Sequence, residues 1–259
     1  RKGQAAKAAS RVLSTVSSTV KNQALAAMAG ALIASEAEIL CTNRLDIEAA
    51  KDKGLSAALI DRLTLTPARI QGMADGLKVL QDLPDPIGEV ASMWKRPNGL
   101  RIGQVRVPLG VIGIIYEARP NVTVDAAGLA LKAGNAVILK GGSEAINSNK
   151  AIVQALRQAI VASDLPEGCV GLIEDTSREA TTALMKLNEY LDVLIPRGGA
   201  GLIKAVVQNA TVPVIQTGVG NCHTYVNRSA DQDMARRIVV NAKCSRPGVC
   251  NACEKLLVD

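Results

Sequence analysis

The sequence predicts an α/β protein: a Rossmann-like parallel five-stranded sheet with helices on both faces, then the start of a second α/β catalytic domain. Three observations carry this. From Gly110 on, short apolar runs alternate with helical segments, the runs being 111–116, 136–140, 170–173, 193–195 and 214–216. The runs are continuous Val, Ile and Leu rather than alternating, as in strands buried on both faces. The stretches between them have helical periodicity, as at 151–161, which makes the connections crossovers and the sheet parallel.

The elements follow in order. Residues 4–83 read as helices, with Val12, Val16, Val20, Leu25, Met28 and Leu32 at helical spacing and the pattern continuing to Ile39. Thr66-Pro67 marks a helix start, Thr as N-cap and Pro at the first helical position. Pro84-Asp85-Pro86 ends this region. Two extended stretches, 89–95 and 100–107, flank Asn98-Gly99, which predicts a hairpin with a type I′ turn. The five-strand series comes next. After Val226 a helix with an acidic start covers 231–241, and a last apolar run, Leu256 to Val258, reads as a strand with no partner left in the chain. The expected division is a dinucleotide-binding domain over 1–228 and the beginning of a catalytic domain over 229–259, cut short.

Composition narrows the function. Apolar residues make up 48%, Phe is absent and aromatics are only 2%, so the core must be Leu, Val, Ile and Ala. The net charge of +6 is spread along the chain without interleaved aromatics, which argues against nucleic acid and for small anionic ligands. No run is long enough to span a bilayer, the longest being 107–116. The first 35 residues are basic and acid-free like a transit peptide, but their apolar spacing favours an amphipathic helix of the fold. Six scattered cysteines read as reduced cytosolic thiols. Cys250-x-x-Cys253 lacks the second ligand pair a zinc site needs, and His223 is the only histidine, so no metal is expected.

Ligands of parallel sheets sit beyond the carboxyl ends of the strands. Lys140 ends a wholly apolar strand and should face that crevice, in contact with a ribose or phosphate. Gly198-Gly199-Ala200-Gly201 opens a helix, where backbone N–H groups favour a phosphate. At the first strand–helix junction, Asn121 of Arg119-Pro120-Asn121 either caps its helix or stabilises an oxyanion. His223 lies in a strand-like run and reads as structural. Cys250 follows Arg246-Pro247-Gly248 in a tight basic segment, which favours its thiolate. A thiolate beside a bound nicotinamide suggests acyl transfer to sulfur coupled to hydride transfer.

Five ordered motifs carry a resemblance over essentially the whole chain: Tyr116-Glu-Ala-Arg-Pro-Asn-Val-Thr-Val-Asp125, Leu139-Lys-Gly-Gly-Ser-Glu144, Ile195-Pro-Arg-Gly-Gly-Ala-Gly-Leu202, Thr217-Gly-Val-Gly-Asn-Cys-His223 and Asn241-Ala-Lys243 continuing to Arg246-Pro-Gly-Val-Cys-Asn-Ala252. They resemble the gamma-glutamyl phosphate reductase family of the aldehyde dehydrogenase superfamily. The resemblance implies NADPH-dependent reduction of L-glutamyl 5-phosphate to glutamate 5-semialdehyde, a step of proline biosynthesis, in a cytoplasmic homo-oligomer coupled functionally to glutamate 5-kinase. It implies Cys250 as nucleophile and Lys140, Ser143, Gly198, Gly199 and Gly201 as dinucleotide contacts, with Asn121 the choice for the oxyanion. Arg119, Lys243 and Arg246 are left to hold phosphate or carboxylate. With no acid at 141–143, the expected cofactor is NADP(H), near Lys140 and Ser143. The alternatives are a hydrolytic aldehyde dehydrogenase and a non-catalytic nucleotide-binding module.

The basic, turn-bound setting makes Cys250 the fast-reacting thiol among the six. Limiting iodoacetamide followed by peptide mapping should label Cys250 first; labelling of Cys222 or Cys253 ahead of an unmodified Cys250 contradicts the assignment.

Overall fold

The computed structural model describes residues 1–218, 220–247 and 249–259. Val219, and Gly248 of the expected Pro-Gly turn, lie outside the described residues. The chain divides into two compact units, Arg1–Gln216 and Thr217–Asp259. The division falls before the expected 228/229 boundary, because the strand-like run at 222–226 pairs with the last strand of the chain.

The first unit opens with five helices: α1 (Lys2–Leu13), α2 (Ser18–Ala34), α3 (Glu36–Asp52), α4 (Ala57–Leu63) and α5 (Pro67–Asp82). The acid-free N-terminal stretch is therefore two helices of the fold, broken around Ser17, whose side chain caps α2 by accepting from Val20 N–H. Leu25, Met28, Leu32 and Ile39 are fully buried and belong to the main core, each side chain contributing about 1.5–3 kcal/mol by leaving water. Thr66 caps α5 as expected, accepting from Arg69 N–H at 3.2 Å with Pro67 behind it. Among the described residues no single helix is long and apolar enough to cross a membrane.

A hairpin of β1 (Val90–Lys95) and β2 (Arg101–Val105) stands on the Pro84-Asp85-Pro86 segment. Its base is tied to α2 by a buried ion pair, Lys21 Nζ to Asp85 Oδ2 at 2.5 Å, with Ser18 Oγ donating to the same oxygen. Burial alone would raise the Asp85 pKa, but hydrogen bonds from Lys21, Ile87 N–H and Ser18 outweigh it and leave it below the ordinary value. The turn differs from the expected type I′. Only Gly99 takes a positive φ (88°), and Gly99 N–H donates to Arg96 O across Pro97 and Asn98. Proline fixes a negative φ at the first central position, which rules out type I′ and moves the left-handed residue one place later.

The sheet follows: β3 (Val111–Tyr116), α6 (Pro120–Lys132), β4 (Ala136–Lys140), α7 (Ile146–Ala162), β5 (Val170–Leu172), α8 (Arg178–Met185), β6 (Val193–Arg197) and α9 (Ala200–Asn209). All pairings are parallel, in the order β5-β4-β3-β6. The fifth expected run extends the β6 edge through a single parallel bridge, Val214 to Leu194, with Leu194 N–H donating to Pro213 O and Ile215 N–H to Leu194 O. Pro213 has no N–H to lengthen the ladder. The chain leaves β3 outward through β4 and β5, then returns to β6 on the other side, so a topological switch point lies between β3 and β6.

In the second unit, β7 (Cys222–Val226) pairs in parallel with β8 (Cys253–Val258), joined by α10 (Gln232–Cys244). The last strand thus has the partner that the sequence did not reveal. Asp231 caps α10 by accepting from Met234 N–H at 2.7 Å.

One long-range contact holds the crossover after β4. Asp46 of α3, 3% exposed, accepts from Asn147 N–H and Nδ2 and from Ser148 N–H and Oγ at 2.6–3.2 Å. A buried carboxylate thereby satisfies the first turn of α7. Asp46→Ala leaves those donors unpaired and should cost about 2–4 kcal/mol. Thermal unfolding should shift down by roughly 5–15 °C; a shift under about 2 °C contradicts this role.

Candidate active site

The carboxyl edge of the sheet gathers the candidates of the first unit. In register, Lys140 lies opposite Ile115 and Arg197 opposite Tyr116, so the loops after β4, β3 and β6 are neighbours at the switch point. They carry Lys140 and Ser143, then Arg119 and Asn121, then Gly198, Gly199 and Gly201.

The Gly-rich turn opens α9. Gly199 is the N-cap of α9, and no side chain caps it from within the turn. Gly199 N–H instead donates to Glu117 Oε2, 3.1 Å away across the switch point. At Gly198 a Cβ would lie 2.7 Å from Glu117 Cδ and 2.8 Å from Leu202 Cδ2, so the ends of those two side chains would have to shift to admit one. Gly201 is different: a Cβ there meets nothing within 4 Å, so packing in this unit does not explain it. A helix N-terminus with open space beside Gly201 is the kind of place that can receive the diphosphate of a dinucleotide once Glu117 moves aside.

Lys140 is 4% exposed, and its Nζ donates to Gly141 O at 3.3 Å. Burial pushes its pKa down, and the charges of Asp175 and Glu144 partly restore it. Two acids therefore stand in electrostatic range of Lys140, although none occurs at 141–143. Ser143 is exposed at the start of a short 3-10 turn, Ser143–Ala145. These groups present donors and a cation at one edge, as a ribose or ribose phosphate requires.

Asn121 does not cap α6. The N-cap is Arg119, Pro120 takes the first helical position, and Asn121 Nδ2 donates to Asp125 Oδ2 at 3.2 Å along the helix. Arg119 is half-buried at this N-cap.

The second unit carries the thiol. Val249 N–H donates to Arg246 O and Ala252 N–H to Val249 O, so Cys250 sits in a tight turn and is exposed. The Gly220–Cys222 segment passes close to it: Cys222 Sγ lies 3.8 Å from Cys250 O, and a Cβ at Gly220 would strike that carbonyl. Lys243 in the last turn of α10 and Arg246 after it are exposed in the same stretch. Cys253 is buried and its Sγ donates to Lys255 O at 3.2 Å. Cys169 is buried in the first unit with its thiol pushed up to about 12. Cys41 and Cys244 share exposure with Cys250 but not its turn. His223 is held at Nδ1 by Asn221 O at 2.6 Å, an arrangement that fixes the ring in the strand. Among the described residues no three His, Cys, Asp or Glu side chains cluster as a metal site.

The aldehyde dehydrogenase family model matches residues 2–259. The chain belongs to the aldehyde dehydrogenase family. It is 66% identical over 257 residues to the gamma-glutamyl phosphate reductase of Heliobacterium modesticaldum, covering 99% of this chain and 62% of that one. Among solved structures, the gamma-glutamyl phosphate reductase of Thermotoga maritima superposes with a TM-score of 0.92 at 50% identity, over 99% of this chain and 62% of that chain. That of Saccharomyces cerevisiae gives 0.77 at 32% identity, over 100% and 65%. This chain therefore spans about 62% of the length of the curated relatives it matches best among these.

The sequence reading gave no role to Asp46 of α3, to Glu117 of the first motif or to Asn149 of α7. Glu117 alone had a local signal, an acid directly after a buried strand. The sterics separate two glycines of the turn. A Cβ at Gly198 must push aside the ends of the Glu117 and Leu202 side chains, the first of which holds Gly199 N–H, so Gly198→Ala should lower stability by up to about 1 kcal/mol. Gly201→Ala should leave the melting temperature of the unliganded protein within about 2 °C. Equal melting losses in both variants would contradict this account.

Proposed function

We propose that the protein reduces L-glutamyl 5-phosphate to glutamate 5-semialdehyde with NADP(H), through a thioester on Cys250. The supporting observation is the switch-point edge with its Gly198–Gly201 helix start and buried Lys140, in a chain 66% identical to a gamma-glutamyl phosphate reductase. The exposed Cys250 thiolate attacks the acyl carbon, the carbon–oxygen bond to phosphate breaks, and inorganic phosphate leaves. When bound, the nicotinamide supplies a hydride to the thioester carbonyl carbon. The tetrahedral adduct on Cys250 then collapses, releasing the aldehyde and restoring the thiol.

The chain's own residues take these roles in our reading. Lys140 and Ser143 meet the adenosine ribose and its 2′-phosphate, and the N–H groups at Gly199–Gly201 meet the diphosphate. Asn121 is the oxyanion donor; its amide gives one N–H to Asp125 and keeps a second for substrate. Arg119, Lys243 and Arg246 neutralise the substrate's phosphate and carboxylate. We assign residues 1–216 to cofactor binding and the second unit to catalysis. We also place the protein in the cytoplasm as a homo-oligomer. The exposed β1–β2 hairpin, with Met93 and Trp94 in the open, supports a second copy as the partner. An acyl phosphate hydrolyses readily, so glutamate 5-kinase is the proposed functional partner that supplies it.

The hydrolytic alternative needs a base to activate water. Gln216, which stands before the Thr217-Gly218 turn, has an amide that does not titrate. Oxidation of glutamate semialdehyde by the full-length enzyme should therefore depend on inorganic phosphate, and Gln216→Ala should retain that activity. The assay is NADPH formation in a non-phosphate buffer with and without added phosphate. A rate unchanged by phosphate would make water the acceptor and overturn the acyl-phosphate reading. Dinucleotide binding with an inert Cys250 would favour a non-catalytic module.

A further inference from the structure

Asn149, on α7, is fully buried and takes no part in the roles above. It ends a buried chain of side chains. Tyr116 Oη and Thr123 Oγ1 are 2.7 Å apart, and Thr123 Oγ1 donates to Asn149 Oδ1 at 2.8 Å. A threonine hydroxyl has one hydrogen. With that hydrogen on Asn149, Thr123 accepts from the Tyr116 phenol, which keeps its proton because burial pushes its pKa up. In this arrangement Oδ1 faces Thr123 and Nδ2 faces away from it. Nδ2 lies against Gly141, where any Cβ would collide with it. Among the described residues Nδ2 has no hydrogen-bond partner, although a buried amide N–H without one is costly.

The same glycine has a second donor beside it. Lys140 Nζ, also buried, donates to Gly141 O at 3.3 Å, near the limit for such a bond. Two donors thus converge on one loop residue, one engaged weakly and one idle. We propose that Asn149 is a positioning residue, which takes over the Gly141 carbonyl when Lys140 turns to the dinucleotide. This rests on the reading of Lys140 as a cofactor contact. Moving Nζ toward a ligand lengthens a bond already at its limit and strands the carbonyl. Glycine tolerates the peptide rotation that brings the carbonyl to Nδ2. The idle donor then becomes the loaded state's bond, and the loop keeps its shape as Lys140 leaves.

The test is NADPH titration, by nucleotide fluorescence, of the full-length enzyme and its Asn149→Ala, Asn149→Ser and Lys140→Met variants, singly and combined. Serine is too short to reach the loop but leaves a hydroxyl in the buried pocket, so it serves if the alanine variant fails to fold. With Lys140 present, either Asn149 variant should weaken NADPH binding about five-fold. The alkylation rate of Cys250 without nucleotide should not change. In the Lys140→Met background Asn149 already holds the carbonyl, so Asn149→Ser should leave NADPH affinity unchanged and lower the melting temperature more than it does beside Lys140. Equal weakening in both backgrounds, or none beside Lys140, overturns the hand-off. If Lys140→Met alone leaves affinity unchanged, the reading of Lys140 as a cofactor contact falls and the hand-off with it. If Lys140→Met weakens binding while Asn149→Ser does not, only the hand-off falls.

Discussion

Strand β3 is hydrogen-bonded on both sides, to β4 through Ile115 opposite Lys140 and to β6 through Tyr116 opposite Arg197. Its side chains are almost wholly buried between helices. Because the chain leaves β3 in one direction and returns to its other flank, the loops after β3, β4 and β6 meet at one edge. Every candidate of the first unit depends on that placement. Shifting β3 by one residue would turn its buried side chains to the opposite face and separate Lys140 from the glycine turn.

Two helix starts at this edge, those of α7 and α9, are each met by a carboxylate from another element, and the two carboxylates differ. The α7 start is closed by Asp46, a buried acid with four donors around it. Displacing it would expose a buried charge and orphan its partners. The α9 start is met by Glu117, which is exposed and holds a single N–H. An exposed carboxylate with one bond yields to a phosphate at small cost. Of these two starts, α9 is the one whose acid can move aside for a ligand, and α7 is closed.

Much of this was legible in the sequence, for local reasons. Continuous Val and Ile runs gave the strands, Thr66-Pro67 a helix start, and Lys140 at the end of an apolar run its place at the edge. The misses were of another kind. Pro97 moved the hairpin turn off type I′, a conflict visible in the sequence but outweighed there by Asn98-Gly99. Pro213 cut the fifth strand to a bridge. The partner of the last strand lies just over thirty residues upstream in parallel register, Cys222 opposite Cys253 and Val226 opposite Val258, where no hairpin signal exists. Asn121 offered a capping residue type two positions too late, since Arg119 is the N-cap and Pro120 already begins α6. Asp46 and Asn149 act through contacts over 100 and 26 residues of sequence respectively, and no local pattern announces such pairs.

The central claim is that a dinucleotide docks at the β3–β6 switch point, over Lys140–Ser143 and the Gly198–Gly201 helix start. Hydrogen–deuterium exchange of the full-length enzyme with and without NADPH tests it directly. Added NADPH should slow exchange in peptides covering 140–144 and 198–203, while peptides from α1 and the outer face of α7 stay unchanged. Protection confined to other segments, with these two unaltered at saturating NADPH, would contradict the account.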